Sequence, residues 1–329
     1  MWCSMRRVCQ RTYYKLGGWA FVVSASVICS MLDFRLTVFY TVAKRLSFTK
    51  AAAELFVTQP AVTKHIQELE HQFGTALFDR RGNQVSLTAA GSLLLRHAET
   101  IMATYRQLTF DMNALKGEPG GTLRLGASST VAQYVIPPVL ARFHEQSADV
   151  AISLLSGNTE QIEQALLSND IDLGLVEGRT HHSDIRYTSL VKDELVLICR
   201  PDHPLAIRDE ITLEELRTIP IVLRERGSGS LEVVEHALRG AGLRLTDLTV
   251  EMQLGSTESI KSYLSSSRCM AFISVFAVQN ELHTGTLKVL DVQGLTIQRD
   301  FYSIQLQGVS EGLADTFMRF ARQHYKRRE

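Results

Sequence analysis

The chain has no surplus of charge, no paired cysteines and no uninterrupted apolar run of membrane-spanning length, and each absence narrows what it can be. Thirty-five Lys and Arg balance 35 Asp and Glu over 329 residues, so any basic surface has to be local. The five cysteines (Cys3, Cys9, Cys29, Cys199 and Cys269) form no CxxC pair. That spacing gives neither a zinc-binding nor a thioredoxin-like reading, and the odd count fits free thiols in a reducing compartment. G-x-S-x-G is absent, and the GSGS of residues 227–230 lacks the lysine of a phosphate-binding loop. His181 and His182 sit in a polar stretch with no partner at metal-ligand spacing, and His203, in PDHP, reads as a turn residue. Cys199 and Cys269 lie in or beside apolar runs and read as core. No catalytic set, metal site or cofactor is expected.

What is present suits a soluble chain of two or three domains: 45% hydrophobic and 21% charged residues. The first thirty residues stand apart. Arg6, Arg7, Arg11 and Lys15 precede an apolar run from Leu16 to Ile28, a layout like that of a signal peptide. The run is shorter than the roughly 20 residues a membrane span needs. Met31 then opens a well-patterned segment. The expectation is that residues 1–30 are a non-native extension ahead of a start at Met31; an export signal or membrane anchor is the competing reading.

From residue 32 the spacing predicts a helix with Phe34, Val38, Phe39 and Val42 on one stripe. Ser47 reads as the N-cap of a short alanine-rich helix, Phe56 and Val57 as a turn, and Thr58 as the cap of a third helix with Pro60 in its first turn. That helix buries Val62, Ile66, Leu69 and Phe73 and stops at Gly74. Helix, tight turn, helix is the layout that places a second helix in the DNA major groove. Gln59 offers bidentate contacts to adenine, Lys64 suits guanine or phosphate, and Thr63 suits a base edge or a thymine methyl; Gln67 shares their face. Thr49 and Thr58, at two helix starts, are placed to meet phosphates. Around a turn at Gly82 and Asn83, the extended pieces near Phe78 and Val85 read as a β-wing, with Arg80 and Arg81 facing phosphates or the minor groove. Charge alone does not decide the matter: residues 31–90 carry seven basic and five acidic side chains. A helical hairpin with a merely solvated polar face is the plain alternative.

The full stretch SFTKAAAELFVTQPAVTKHIQELEHQFGTALFDRRGNQVSLTAAG resembles the N-terminal domain of LysR-type transcriptional regulators without a gap. SFT-x-AA-x-x-L, QPAVT, I-x-x-LE, LF-x-R and LT-x-AG occur in the family's order; Phe73-Gly74 replaces its usual LG. The resemblance implies a winged helix-turn-helix domain over 31–90 that binds double-stranded promoter DNA.

Thr88 then caps a helix reaching about Leu115. Leu94, Ala98, Ile101, Tyr105, Leu108, Met112 and Leu115 step by four and three, the repeat of a coiled-coil seam. At 1.5 Å per residue such a helix spans roughly 40 Å. Packing on the chain's own C-terminal region is the alternative to a partner helix. KGEPGG, residues 116–121, reads as a hinge, giving a linker segment over 88–118. The resemblance implies a homodimer through this helix, assembling further to a homotetramer, with RNA polymerase as a partner if the chain activates transcription.

Residues 119–329 alternate short apolar runs (123–128, 150–155, 172–178, 194–200, 220–223, 250–254, 270–274, 287–292 and 301–306) with helical stretches (135–144, 159–167, 231–238, 259–266 and 313–325). Alternation of this kind predicts an α/β fold of parallel sheets flanked by helices, and the length suits two lobes with a ligand in the crevice between them. One lobe is expected at about 119–195 with 296–329, the other at 196–295. Hydroxyl-rich clusters follow four strands: Ser128, Ser129 and Thr130; Asn158 and Thr159; Arg224 with Ser228, Gly229 and Ser230; and Ser256 with Thr257. Small hydroxyls and open N–H groups at helix starts bind anions, although each cluster alone is ordinary capping and Arg224 is equally a structural ion-pair partner.

LRLGASSTVAQYVIPPVLARF, GNTEQI, DLGLVEG and DELVLICRPDHPL resemble, in order, the landmarks of the LysR-family effector domain, which has a periplasmic-binding-protein-like fold. They are most similar to the branch controlling carbon-fixation and sulfur-assimilation genes. That implies a small oxyanion or organic acid as effector. SSSRCMAFIS departs from the family's small-residue turn: Arg268 and Cys269 are either an added cation at the cleft or surface and core. The expectation is thus a cytoplasmic, effector-modulated DNA-binding regulator and not an enzyme. An exported or membrane-anchored solute-binding protein is the alternative; an enzyme on a two-lobed scaffold is a further one, and the cleft sequence offers it only hydroxyls and amides.

Overall fold

The computed structural model describes residues 33–81, 84–115, 121–179, 181–308 and 312–326. Residues 1–30, the turn at Gly82 and Asn83, and residues 116–120 of the hinge lie outside them. Contacts divide the chain into two units, one within Met1–Thr100 and one within Ile101–Glu329.

In the first unit, α1 (Phe34–Arg45) starts at Asp33, whose carboxylate accepts from the Arg35 N–H at 3.0 Å. The Ser47 hydroxyl caps α2 (Phe48–Glu54) by accepting from the Lys50 N–H. α3 (Gln59–Phe73) carries Pro60 in its first turn and ends at Gly74, whose φ of 64° is the left-handed cap that glycine adopts without strain. Val38, Phe39, Val42, Ala51, Val62 and Ile66 are fully buried together, with Leu77 and Phe78 closing the base. Removing Phe39 from such a core costs about 3–5 kcal/mol. One expected core residue is not there: Phe73 is 52% exposed. It lies in the last turn of α3, past the reach of α1 and α2.

β1 (Phe78–Arg81) and β2 (Gln84–Leu87) pair antiparallel as a wing, Phe78 opposite Leu87 and Arg81 opposite Gln84. Then α4 (Ala89–Leu115) begins at Thr88, whose hydroxyl accepts from the Gly91 N–H and donates to the Ala76 carbonyl at 2.7 Å. Gly91 is required by proximity: a Cβ there would lie 2.0 Å from the Leu77 carbonyl oxygen. The expected seam divides along α4. Leu94 and Ala98 pack into the winged-helix core, so the first two positions of the repeat serve the chain's own domain. Ile101, Leu108, Met112 and Leu115 are exposed.

In the second unit β3 (Gly121–Ser128), β4 (Val150–Gly157) and β5 (Leu173–Glu177) are parallel, joined through α5 (Pro137–Gln146) and α6 (Thr159–Leu167). β6 (Ile185–Cys199) follows. The chain continues through β7 (Glu210–Ile211), α7 (Leu213–Thr218), β8 (Pro220–Arg224), α8 (Gly229–Gly240), β9 (Thr249–Leu254), α9 (Thr257–Leu264), β10 (Ala271–Ser274) and α10 (Val275–Thr284). It closes with β11 (Lys288–Val289), β12 (Asp291–Val292), β13 (Ile297–Leu306) and α11 (Leu313–Lys326). The main sheet has the order β10-β6-β13-β5-β3-β4, with β11 also on β6.

The main sheet is mixed, not purely parallel as expected, whereas β8 with β9 and β7 with β12 pair parallel. β6 runs antiparallel to β13 and β10, and β13 antiparallel to β5. The reason is the crossing itself. β6 leaves one lobe and β13 returns to it, so the two must run in opposite directions. Leu190, Val191 and Phe301 pack with the first lobe's core, around Leu125, Phe143, Leu175 and Phe317. Leu195, Leu197 and Ile297 pack with the second lobe's core, around Ile221, Leu238 and Met270. Both crossing strands extend beyond the apolar runs that announce them, because their middles carry Lys192, Asp193, Glu194, Arg299 and Asp300. Cys199 and Cys269 are buried free thiols, and burial pushes the Cys199 thiol up from its ordinary value. No helix among the described residues is long and apolar enough to cross a membrane.

Candidate functional sites: a helix face and an interlobe cleft

The sequence-predicted residues of the first unit lie on α2, on α3 and its cap, and on the wing. Thr49, Thr58, Gln59, Pro60, Lys64 and Gln67 are exposed and Thr63 is half-buried. Thr58 holds the N-cap backbone position of α3, but its hydroxyl makes no capping hydrogen bond, so the expected cap is backbone only. The Gln59 amide donates to the Thr63 hydroxyl at 2.9 Å, which orders both on the first turns of the helix. The Lys64 side chain is 76% exposed, with Glu68 at 3.9 Å. Arg80 is exposed, and its guanidinium lies 4.2 Å from the centre of the Phe48 ring, which fixes its direction from the wing base. Arg81 ends β1, paired with Gln84.

In the second unit all four hydroxyl clusters meet between the lobes. Ser128, Ser129 and Thr130 are buried at the end of β3, ahead of a π turn over Val131–Val135. The Thr130 hydroxyl is 3.4 Å from that of Thr257, across the lobes. Asn158 caps α6 by a reciprocal capping box with Gln161, and its amide donates to the Arg226 carbonyl. The Glu160 N–H donates to the Gly227 carbonyl at 3.2 Å, and Thr159 donates to the Glu177 carbonyl at 2.7 Å. α8 enters this seam so closely that a Cβ on Gly229 would lie 1.8 Å from the Glu177 carbonyl oxygen and 2.6 Å from the Thr159 hydroxyl. Only glycine allows that approach. Ser256 caps α9, accepting from the Ser259 N–H.

Arg224 is the ion-pair partner that its sequence position allowed. It pairs with Glu225 at 2.8 Å, yet it is buried and its Nη1 has no hydrogen-bond partner among the described residues. The Ser129 and Ser228 hydroxyls are buried and unpartnered in the same way. Buried polar atoms are normally satisfied, so these unpartnered donors, with Arg299 Nη2 nearby, set the seam apart from ordinary packing. The pairing with Arg224 holds the Glu225 carboxyl below its ordinary range, although burial works against it.

Several residues at this seam are not in the expected set. Glu177, at the end of β5, is 2% exposed and accepts from the Ser128 and Ser230 hydroxyls. Arg299 on β13 donates to Asp193 at 2.6 Å and to the Ser230 hydroxyl at 2.7 Å, and stands 3.5 Å from Glu177. Burial raises the Asp193 carboxyl against the pull of Arg299 and the Ser274 hydroxyl. A hollow of about 680 Å³ borders this group, lined by Gly178, Arg179, Asp193, Phe276 and Arg299 among others. At the rim Tyr134 of the first lobe hydrogen-bonds Glu258 of the second, and Lys261, between Glu258 and Glu281, lies over the Tyr134 ring. Arg268 is exposed beside His203 and Cys269 is buried, so the departure at SSSRC reads as surface and core. No group of three or more His, Cys, Asp or Glu among the described residues could hold a metal.

A winged helix-turn-helix joined by a long helix to a two-lobed domain with a polar cleft defines a one-component regulator, in which one chain carries both the DNA reader and the sensor. Residues 34–92 match the family described as "Bacterial regulatory helix-turn-helix protein, lysR family", and residues 116–326 match "LysR substrate binding domain". The chain belongs to the LysR family of transcriptional regulators and is a DNA-binding regulator whose promoter binding responds to a small-molecule effector. A "Probable RuBisCO transcriptional regulator" of Cyanophora paradoxa is 34% identical over 268 residues, 80% of this chain and 83% of that one. The regulatory domain of Synechocystis PCC6803 CcmR, in complex with 2-PG, is 28% identical with a TM-score of 0.57, covering 62% of this chain and 97% of that one. Full-length CbnR complexed with its target DNA matches in fold, at 20% identity and a TM-score of 0.61 over 89% of this chain and 99% of that one.

Proposed function

We propose that the cleft binds a small organic acid or oxyanion and that its occupancy alters how paired recognition helices sit on promoter DNA, inside the cytoplasm. The observation that carries this reading is the set of buried, unpartnered donors, Ser129 Oγ, Ser228 Oγ and Arg224 Nη1, which lie on both lobes. An acid group supplies the acceptors they lack, and the start of α8 adds open N–H groups and a favourable dipole. The 2-PG complex of the CcmR regulatory domain supports the same ligand class. On the DNA side, Gln59, Thr63, Lys64 and Gln67 would read bases while Thr49, Thr58, Pro60, Arg80 and Arg81 set the helix and wing on the backbone.

Exchanging one effector arrangement for another requires unequal affinity for the two, so ligand binding and DNA binding are coupled reciprocally. A thermal-shift screen of the full chain against 2-PG, inorganic phosphate, sulfate and small carboxylic acids tests the site. At least one acid raises Tm by mass action, and Arg224→Ala removes that rise. No shift with any of them, or a shift unchanged in Arg224→Ala, counts against this reading.

A further inference from the structure

Glu177 occupies an anion site from within. Its two oxygens accept from Ser128, which ends β3 in the first lobe, and at 3.0 Å from Ser230, in the first turn of α8 in the second lobe. The Arg299 guanidinium faces the same oxygen as Ser230, at 3.5 Å. Two hydroxyls and a guanidinium beside a helix N-terminus are what a bound acid would also use. A cluster built only for rigidity would match its charges and satisfy its donors. This one buries two carboxylates, Glu177 and Asp193, on one arginine, and Arg299 Nη2 is left without a partner, as are Ser129 Oγ, Ser228 Oγ and Arg224 Nη1. Donors exceed acceptors, yet a ligand acid beside Glu177 would bring a third negative charge beside two buried carboxylates.

We propose that Glu177 is a tethered competitor of the acid effector: it latches the two lobes through Ser128 and Ser230 when no effector is bound, and its side chain rotates out when the ligand takes those donors. This rests on the reading of the cleft as an acid site. The Glu177 backbone need not move, because its carbonyl is fixed by the Thr159 hydroxyl and packed against Gly229. The measured affinity of the effector is therefore the intrinsic one reduced by the fraction of molecules in which Glu177 is unlatched.

The sign of the mutational effect separates this from a purely structural role. Titration calorimetry on the full chain, with 2-PG and separately with inorganic phosphate, compares wild type with Glu177→Gln, Glu177→Asp and Arg224→Ala. Glu177→Gln, which loses the charge, binds about ten-fold tighter or better. Glu177→Asp keeps the charge but is one methylene too short to hold both hydroxyls, and it too binds tighter than wild type. If Glu177→Gln fails to fold, as judged by circular dichroism, Glu177→Asp carries the test with the same expected sign. Equal or weaker binding by the folded variants, with Arg224→Ala still abolishing it, overturns the role of Glu177 and leaves the acid site standing. No heat from either probe, with wild type or the Glu177 variants, overturns both.

Discussion

Glu215 shows how much one side chain can be shifted without burial. In the capping box at the start of α7 it accepts from the Thr212 N–H and hydroxyl and pairs with Arg208. The Arg208 guanidinium, first, and the Thr212 N–H, second, lower its carboxyl to about 2. Its ordinary value is higher, so the unfolded chain takes up the proton first as pH falls. The helix start therefore gains its support above about pH 4.5 and loses it as the pH drops toward about 2. Carbon-detected NMR titration should place the Glu215 midpoint near about 2 in wild type and move it up toward 4.5 in Arg208→Ala; a wild-type midpoint at the ordinary value contradicts the pairing. Residue-scale features differ in how legible they are. Asn158 and Thr159 are readable because a cap and its helix are local: α6 spans Thr159–Leu167, the range that spacing predicts. Glu177 and Arg299 are not readable. In DLGLVEG the glutamate is simply the last strand residue, and Arg299 lies in another segment, joined to it only by the pairing of β13 with β5 and β6.

At the scale of elements, α4 is two helices in one. Its N-terminal third is pinned by Thr88, Gly91, Leu94 and Ala98 to the winged-helix core, and its C-terminal part exposes Ile101, Leu108, Met112 and Leu115. A heptad repeat in sequence does not say which of its positions face the chain's own domain, so the spacing alone makes the seam uniform. Leu108→Glu puts a charge in the middle of the exposed portion. Burying it against a partner helix costs about 3 kcal/mol or more, so sedimentation should show dimer dissociation strengthened by more than about a hundredfold. Unchanged assembly would remove α4 from the interface. The crossing strands carry a parallel lesson. Alternating apolar runs announce the strands but not their direction. The antiparallel β6–β13 pair is fixed by the chain's need to return, and its polar middle shortens the readable runs.

Over the whole molecule α3 and the cleft are separate candidate sites on one chain, and a free-energy coupling would join them. Family and fold were legible because the helix-turn-helix stretch is contiguous and dense with specific residues. The cleft was legible only as four separate hydroxyl clusters, since their convergence is a product of two lobes closing on each other. The carbonyl of Glu177 against Gly229, and Thr130 against Thr257, are contacts between residues far apart in sequence. Lys64 offers a control for the coupling. Lys64→Ala should weaken binding to a selected operator by about 1–3 kcal/mol at fixed salt and leave Tm and acid binding as in wild type.

The most direct measurement is of operator affinity with and without acid. A DNA site selected in vitro for binding to the full chain would be labelled, and its Kd and footprint measured by anisotropy and nuclease protection at fixed salt. The titration would be run in the absence of ligand and at saturating 2-PG, or at saturation with whichever acid raises Tm. The expected result is a change in Kd of at least about five-fold, or a shifted footprint, that Arg224→Ala abolishes while its ligand-free DNA binding stays intact. Identical affinity and an identical footprint at full occupancy of the cleft would contradict it.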